Sequence, residues 1–225
     1  MADLDLGPVW LTLRLAAVTV LLLLLVGTPL AWWLAHTRTR VKPLIEAVTA
    51  LPLVLPPTVL GFYLLVLFAP GAPLGGAWLG LTGHTLTFSF SGLVLASMLY
   101  SLPFVVQPLQ GAFEAVGRGP LEAAAVLGAR PLDAFFTVAS PLALRGYLTA
   151  TVLGFAHTLG EFGVVLMVGG SIPGDTRTIS IAIYDRVQAF DEAAAGEMAA
   201  VLLAISLATI ALTFFLTQRV GRRHG

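Results

Sequence analysis

Five long apolar runs, each ended by polar or turn-forming residues, constrain this chain more than any single motif. They cover about residues 9–35, 44–68, 88–112, 142–168 and 193–217 of the 225. A helix needs about 20 consecutive apolar residues to cross a bilayer, and each run is long enough. In hydrocarbon every backbone polar group must be satisfied internally, so such runs are read as helices. Composition agrees: 57% of residues are hydrophobic and 11% charged, where a soluble domain carries roughly 25% charged residues. The expected fold class is an all-α integral membrane protein, one domain over residues 1–225, with five transmembrane helices and the lipid bilayer as its surroundings. The acidic start, with Asp3 and Asp5 and no basic residue, does not fit a cleaved leader. The first run is also too long for one, so it is expected to stay as a span.

Charge sorting gives the expected orientation. Arg38, Arg40, Lys42, Arg118, Arg130, Arg145, Arg219, Arg222 and Arg223 fall beside one set of run ends, and Arg14, Arg177 and Arg186 beside the other. Loops rich in Lys and Arg stay in the cytoplasm. The 37–42 connector, the 113–141 segment and the C-terminus are therefore expected inside and the N-terminus outside, as an odd number of spans requires.

Several function classes are excluded by what the chain lacks. Net charge is zero, which argues against a nucleic-acid partner. Without cysteine there is neither a disulfide nor a thiolate metal site. His36, His84, His157 and His224 are scattered, with no metal-ligand spacing. The sole lysine, Lys42, follows Thr39-Arg40-Val41 rather than a glycine-rich phosphate loop. No serine sits in a nucleophile elbow. Neither catalytic residues nor a cofactor are expected in this chain.

Two runs are not simple helices. The second reads Leu51-Pro52-Leu53-Val54-Leu55-Pro56-Pro57-Thr58, and three prolines in six residues cannot stay straight. Irregular backbone at membrane depth must face protein or water, so Pro56, Pro57 and Thr58 are expected at a pathway-lining break, the alternative being kinks that only improve packing. Pro103 and Pro108 are expected to free carbonyls in the third run in the same way. The fourth run contains His157-Thr158-Leu159-Gly160-Glu161-Phe162-Gly163. A carboxylate inside an apolar run is costly, which makes Glu161 a candidate site, with Thr158, Gly160 and Gly163 beside it on a pathway or gate. The alternative is a structural Glu161 that accepts hydrogen bonds from a neighbouring helix end or from His157.

Between the third and fourth runs lies Glu122-Ala123-Ala124-Ala125-Val126-Leu127-Gly128, followed by Ala129-Arg130-Pro131. Pro120 suits a first helical position and Gly128 a helix stop. Pro131 is expected to start a second short helix over residues 132–139, closed by Pro141. Ala123, Ala124 and Ala125 would leave a shallow surface that another protein can approach.

This insert resembles the coupling loop of binding-protein-dependent ABC importer permeases, in Glu122, Ala123, Ala124, Gly128, Val138 and Pro141. Val138 stands where Ile is common, and Ser140 where Leu usually precedes the proline. The Leu159–Gly163 stretch, the later Ile172-Pro173-Gly174-Asp175-Thr176-Arg177-Thr178, Ala182-Ile183-Tyr184 and the second-run prolines are similar to the molybdate and sulfate group of that family. The likeness runs from about Trp10 to Leu216. His157 stands where Arg is frequent, and Val164-Val165 where Ala-Thr is frequent. The compact chain resembles the molybdate members more than the longer sulfate members. The resemblance implies a type I ABC importer permease fold in a prokaryotic cytoplasmic membrane, paired as a homodimer. It also implies two ABC ATPase subunits that carry ATP and Mg, and an extracytoplasmic oxyanion-binding protein. Docking to the ATPase would fall to Glu122, Ala123, Ala124, Gly128, Arg130, Pro131, Val138 and Pro141. The alternatives are a sulfate or thiosulfate permease, or an ion-coupled carrier with Glu161 as proton relay.

Overall fold

The computed structural model describes residues 5–222 and contains no strand among them. Asp3 and Arg223, used above, lie outside the described residues, as do the side chains of Arg219 and Arg222.

Three long helices form the frame: α1 (Gly7–His36), α5 (Phe90–Val116) and α12 (Glu192–Arg222). Between α1 and α5 come α2 (Lys42–Ala50), a 3-10 turn (Leu51–Leu53), α3 (Pro57–Phe68) and α4 (Pro73–Thr82). After α5 come α6 (Gly119–Val126), α7 (Pro131–Ala134), a π turn (Phe135–Ala139) and α8 (Ser140–Leu142). Then follow α9 (Leu144–Leu159), α10 (Gly163–Gly169) and α11 (Ile179–Gln188).

Three helices are long and apolar enough to cross a membrane, and the count reaches five if each of two bent pairs is taken as one span. The second and fourth expected spans are those pairs: α2 with α3 turns through 110°, and α9 with α10 through 62°. These are the two runs expected not to be simple helices, and the bends fall at Pro56-Pro57 and beside Glu161. Pro103 and Pro108 act differently, because α5 runs through both without a break. A lone proline removes one hydrogen bond, whereas Pro56-Pro57 fixes two successive residues and places Pro56 in extended geometry at ψ 136°. The 69–87 and 169–192 connectors hold α4 and α11, which the apolar pattern did not announce.

The core lies where α1, α5 and α9 meet, around Leu23, Leu34, Val105, Leu109, Phe113 and Ala150. Glycine brings α9 close: a Cβ on Gly146 would overlap Ala112, and one on Gly154 would lie 2.8 Å from Val105 Cγ2. Small residues at such crossings let membrane helices pack by van der Waals contact. A second cluster joins α3, α5 and α10 through Leu64, Phe68, Ala96, Val164 and Val168. The buried Ile179 N–H donates to Thr12 Oγ1 at 2.8 Å and pins α11 to α1.

Candidate functional site

The two breaks face each other. A Cβ on Gly61 of α3 would sit 2.8 Å from Met167 Cβ, and one on Gly163 of α10 would sit 2.8 Å from Pro57 Cβ. Nothing larger fits, so α3 and α10 touch backbone to side chain. Beside this contact lies a cleft of about 560 Å³ lined by Pro57, Thr58, Tyr100, His157, Gly160, Glu161 and Gly163, among others.

Glu161 is 4% exposed, and neither carboxyl oxygen makes a well-aligned hydrogen bond among the described residues; its polar side-chain neighbour is Ser97, whose buried hydroxyl likewise has no other partner. Its backbone is well held: Ser180 Oγ donates to the Glu161 carbonyl at 2.6 Å. The helix-end and His157 contacts of the structural alternative are absent, because His157 Nδ1 bonds to Ser101 Oγ at 2.9 Å instead. Thr158 Oγ1 donates to the Gly154 carbonyl at 2.9 Å and lies 3.1 Å from Ser101 Oγ. Thr158 has thus spent its proton, so Ser101 donates to Thr158 and accepts from Nδ1–H of His157. In the neutral ring, Nε2 is then a bare acceptor. The imidazole is stacked on Phe104 at 4.0 Å, with Tyr100 at 4.6 Å.

Of the residues expected on the pathway, Pro57, Thr58, Gly160, Glu161 and Gly163 line this cleft. Pro56 is exposed beside it and caps α3. Thr158 is corrected: it is 1% exposed and holds the lining together from behind, as does the fully buried Ser101.

The insert between α5 and α9 is built by local rules. Pro120 sits in the first turn of α6, and Glu122 follows in the same turn, where a carboxylate suits the helix dipole. Gly128 takes φ +88°, with Ala129 N–H donating to the Ala124 carbonyl and Gly128 N–H to the Ala125 carbonyl. This is the paired hydrogen-bond stop that favours glycine. Arg130 N–H donates to Asp133 Oδ2 at 3.3 Å, and Pro131 opens α7.

Two expectations about the insert change. Pro141 does not close the second helix, which winds on through α8. Proline offers no N–H to the Thr137 carbonyl, and the turn before it widens so that Ser140 N–H reaches the Phe135 carbonyl. Ala124 is buried, so the approachable face is Glu122, Ala123 and Ala125 with Val126 and Leu127, the last two 88% exposed each. Arg130, Pro131 and Pro141 are exposed and Val138 half-buried.

An aromatic cluster that pattern reading missed ties the insert to the bundle. Phe135 lies 5.0 Å from Trp32 of α1 and 5.9 Å from Phe113 of α5, and Phe113 lies 5.9 Å from Tyr147 of α9. The cluster thereby packs the insert against α1, α5 and α9 at once.

Residues 27–224 match the family described as the binding-protein-dependent transport system inner membrane component. The chain belongs to that family. It is 60% identical over 195 residues to the molybdenum transport system permease protein ModB of Azotobacter vinelandii, which spans 87% of this chain and 86% of that protein. It is 35% identical over 226 residues to the protein of the same description in Escherichia coli K12, over 100% and 99% of the two. The sulfate transport system permease protein CysT of that organism is 35% identical over 197 residues, 88% of this chain and 71% of that one. Among solved structures, the inward-facing MetNI methionine ABC transporter matches with a TM-score of 0.76 at 17% identity, covering 98% of this chain and 99% of that one. A bacterial transporter that imports alginate matches at 0.78 and 14% identity, covering 98% and 81%. At these identities the structures show the shared fold.

Three α5 residues around the cleft were overlooked by pattern reading: Ser97 neighbours the Glu161 carboxyl, Tyr100 lines the cleft and Phe104 stacks on His157. Their spacing of three and four puts them on one face of α5 with Ser101, toward the α9 break. That spacing was readable, but nothing in it marked which face of an apolar helix would meet a cleft.

Proposed function

We propose that this chain is the membrane-spanning subunit of an ATP-driven importer that moves molybdate or tungstate into a prokaryotic cell. The observation that carries the reading is the 60% identity to the Azotobacter molybdenum permease over most of both chains. In this reading two copies pair about a central pathway, and closed two-fold pairing suits such an axis. Each copy presents its 113–141 insert to one ATPase subunit, where ATP and Mg are bound, and an extracytoplasmic protein delivers the oxyanion.

The insert face lies in the cytoplasm and the N-terminus outside. Its support is the clustering of Arg38, Arg40, Lys42, Arg118, Arg130 and Arg145 around one set of helix ends. The exposed Val126 and Leu127 beside Glu122 supply the docking surface, and the aromatic cluster around Phe135 transmits the stroke.

Glu161 works as a gate at the α9–α10 break. An ionised carboxylate there would repel a permeating anion, so it is no direct ligand. Its carboxyl, buried with only Ser97 beside it, fits a group that finds its full set of contacts in another conformation. Lining groups such as Thr58 offer weak polar contacts, and specificity resides in the delivering protein. A tight oxyanion site measured in the isolated permease would contradict this.

The sulfate reading rests on one observation: identity to CysT equals that to the Escherichia coli molybdenum permease, over a smaller share of that protein. Growth complementation of molybdate-uptake and sulfate-uptake mutants separates the two. We expect rescue of the first alone, and rescue of the second alone would overturn the molybdate assignment. Gly128→Pro and Glu122→Lys should keep membrane insertion and uncouple ATP hydrolysis from uptake. Normal uptake in both would remove the docking role of the insert.

A further inference from the structure

Far from the Glu161 cleft, four side chains close a ring between α2 and α5. Lys42 and Glu46 stand one turn apart on α2, as do Gln110 and Glu114 near the end of α5. Gln110 Nε2 donates to Glu46 Oε1 at 2.7 Å and to Glu114 Oε1 at 3.0 Å. Both N–H groups of this amide are thereby spent, each on a carboxylate from a different helix. Lys42 Nζ lies 3.6 Å from Glu46 Oε1 and donates to Glu114 Oε1 at 3.4 Å. One lysine thus stands between two carboxylates. Arg38, Arg40 and Arg118 are near in the sequence, yet none of them forms an ion pair among the described residues.

Apolar packing holds α2 only lightly. Ile45 packs on the core cluster and Thr49 is buried, but Leu44, Ala47 and Val48 are exposed. Lys42 lies about 13 Å along the helix from the 3-10 turn. Beyond that turn the chain bends through 110° into α3, which brings Pro57 and Thr58 to the cleft. Since the proline elbow is fixed by its own rings, α2 and α3 form one L-shaped arm. The ring fastens the far end of this arm to α5. There Glu114 directly follows Phe113, which lies 5.9 Å from Phe135 of the insert.

We propose that Lys42, Glu46, Gln110 and Glu114 are positioning residues that act as a clasp: closed in one transport state, they hold the α2–α3 arm on α5, and in the other they part. Separating an apolar interface returns its whole buried area to water. These side chains are partly exposed and exchange protein partners for water at little net cost. Lys42 decides the outcome. Without it Glu46 and Glu114 face each other across a single amide, and like charges repel. The clasp bears on transport only if Pro57 and Thr58 line the pathway, as proposed above, and it serves whichever oxyanion is carried.

Lys42 is the sole lysine, so amine chemistry reads the clasp directly. The probe is sulfo-N-hydroxysuccinimidyl acetate on the full permease–ATPase complex in nanodiscs, with Lys42 acetylation followed by mass spectrometry. Its rate should differ by about fivefold between the nucleotide-free complex and one trapped with ATP and vanadate. Gln110→Leu should bring both states to the faster rate. Equal rates in the two wild-type states would overturn the clasp, and so would wild-type rates in Gln110→Leu. Uptake supplies the second arm. Lys42→Glu should lower it severalfold, and adding Glu114→Lys, which restores one lysine between two glutamates, should recover it. A double variant that assembles but stays as impaired as Lys42→Glu would overturn the positioning role. Labelling that follows the nucleotide state while Lys42→Glu transports normally would sustain the clasp and count against the pathway reading of α3.

Discussion

The two broken spans fail as straight helices for different reasons. Between α2 and α3 the break is written into the backbone: Pro52 in the 3-10 turn, Pro56 extended and Pro57 in the first turn of α3. It is open to the surroundings, with Val54 81% exposed. Between α9 and α10 the break has no proline. It rests on Gly160, on the Ser180 bond to the Glu161 carbonyl and on Gly163 packed against Pro57; Glu161 is buried there, while Gly160 is exposed and Phe162 and Gly163 are half-buried. The first is an elbow fixed by ring closure and needs no partner. The second is held by tertiary contacts and carries the buried carboxyl. One break is therefore rigid by its own chemistry and the other exchangeable with its neighbours, and the two pack on each other.

The contact between the breaks should be the most sensitive point. Gly61→Leu and Gly163→Leu each push a side chain into a space where the first carbon already comes within 2.8 Å of another. Overpacking costs about 1–3 kcal/mol, and with no slack around Met167 and Pro57 the upper end is expected. Both variants should lose several degrees of thermal midpoint in detergent and nearly all uptake. Wild-type values in both would mean that the breaks are not locked together.

Glu161→Gln asks whether the break around this buried carboxyl acts as a gate. Since the carboxyl makes no well-aligned bond and Ser97 can bond an amide equally, the amide should leave assembly intact and change uptake about tenfold, on the order of 1.4 kcal/mol in the rate-limiting step. Loss of assembled protein with no stable variant would make Glu161 a scaffold.

The contrast also explains how much was legible. Proline has a fixed φ and no N–H, so Pro56-Pro57 announced its elbow without any knowledge of neighbours, and the long runs became helices because hydrocarbon leaves few choices. Gly128 likewise declared its left-handed stop. Tertiary facts were not legible. Pro141 gave no hint of the π turn that lets the helix pass it, and Thr158 looked like a pathway hydroxyl until Gly154 and Ser101 claimed it. In chains this apolar, the hydrophobic pattern marks depth but not which side of a helix meets lipid, helix or cleft. Tyr100, Phe135 and the short helices α4 and α11 stayed hidden for that reason.

Ser180→Ala removes the bond to the Glu161 carbonyl and should cost about 1 kcal/mol, typical of one hydrogen bond. It should also shift the pathway equilibrium, because the break at Glu161 loses its brace while the proline elbow does not. Hydrogen exchange confined to residues 159–163 would report this. Uniform exchange across both breaks would show that they are not separately held.

The smallest effect is expected at Pro57→Ala. In the first helical turn the missing N–H is an orphan in any case, so alanine neither gains nor loses a bond there. Pro56 remains, with φ −55° and ψ 136°, and should keep the elbow by itself. The change is expected within about 0.5 kcal/mol, or about 1–2 °C of midpoint for a chain of this size, with uptake preserved. The Pro57 ring is also the surface that meets Gly163, and alanine retains the Cβ that makes the contact. If uptake nonetheless collapses while the fold survives, the elbow is not self-supporting, and the division into a rigid and an exchangeable break would have to be given up.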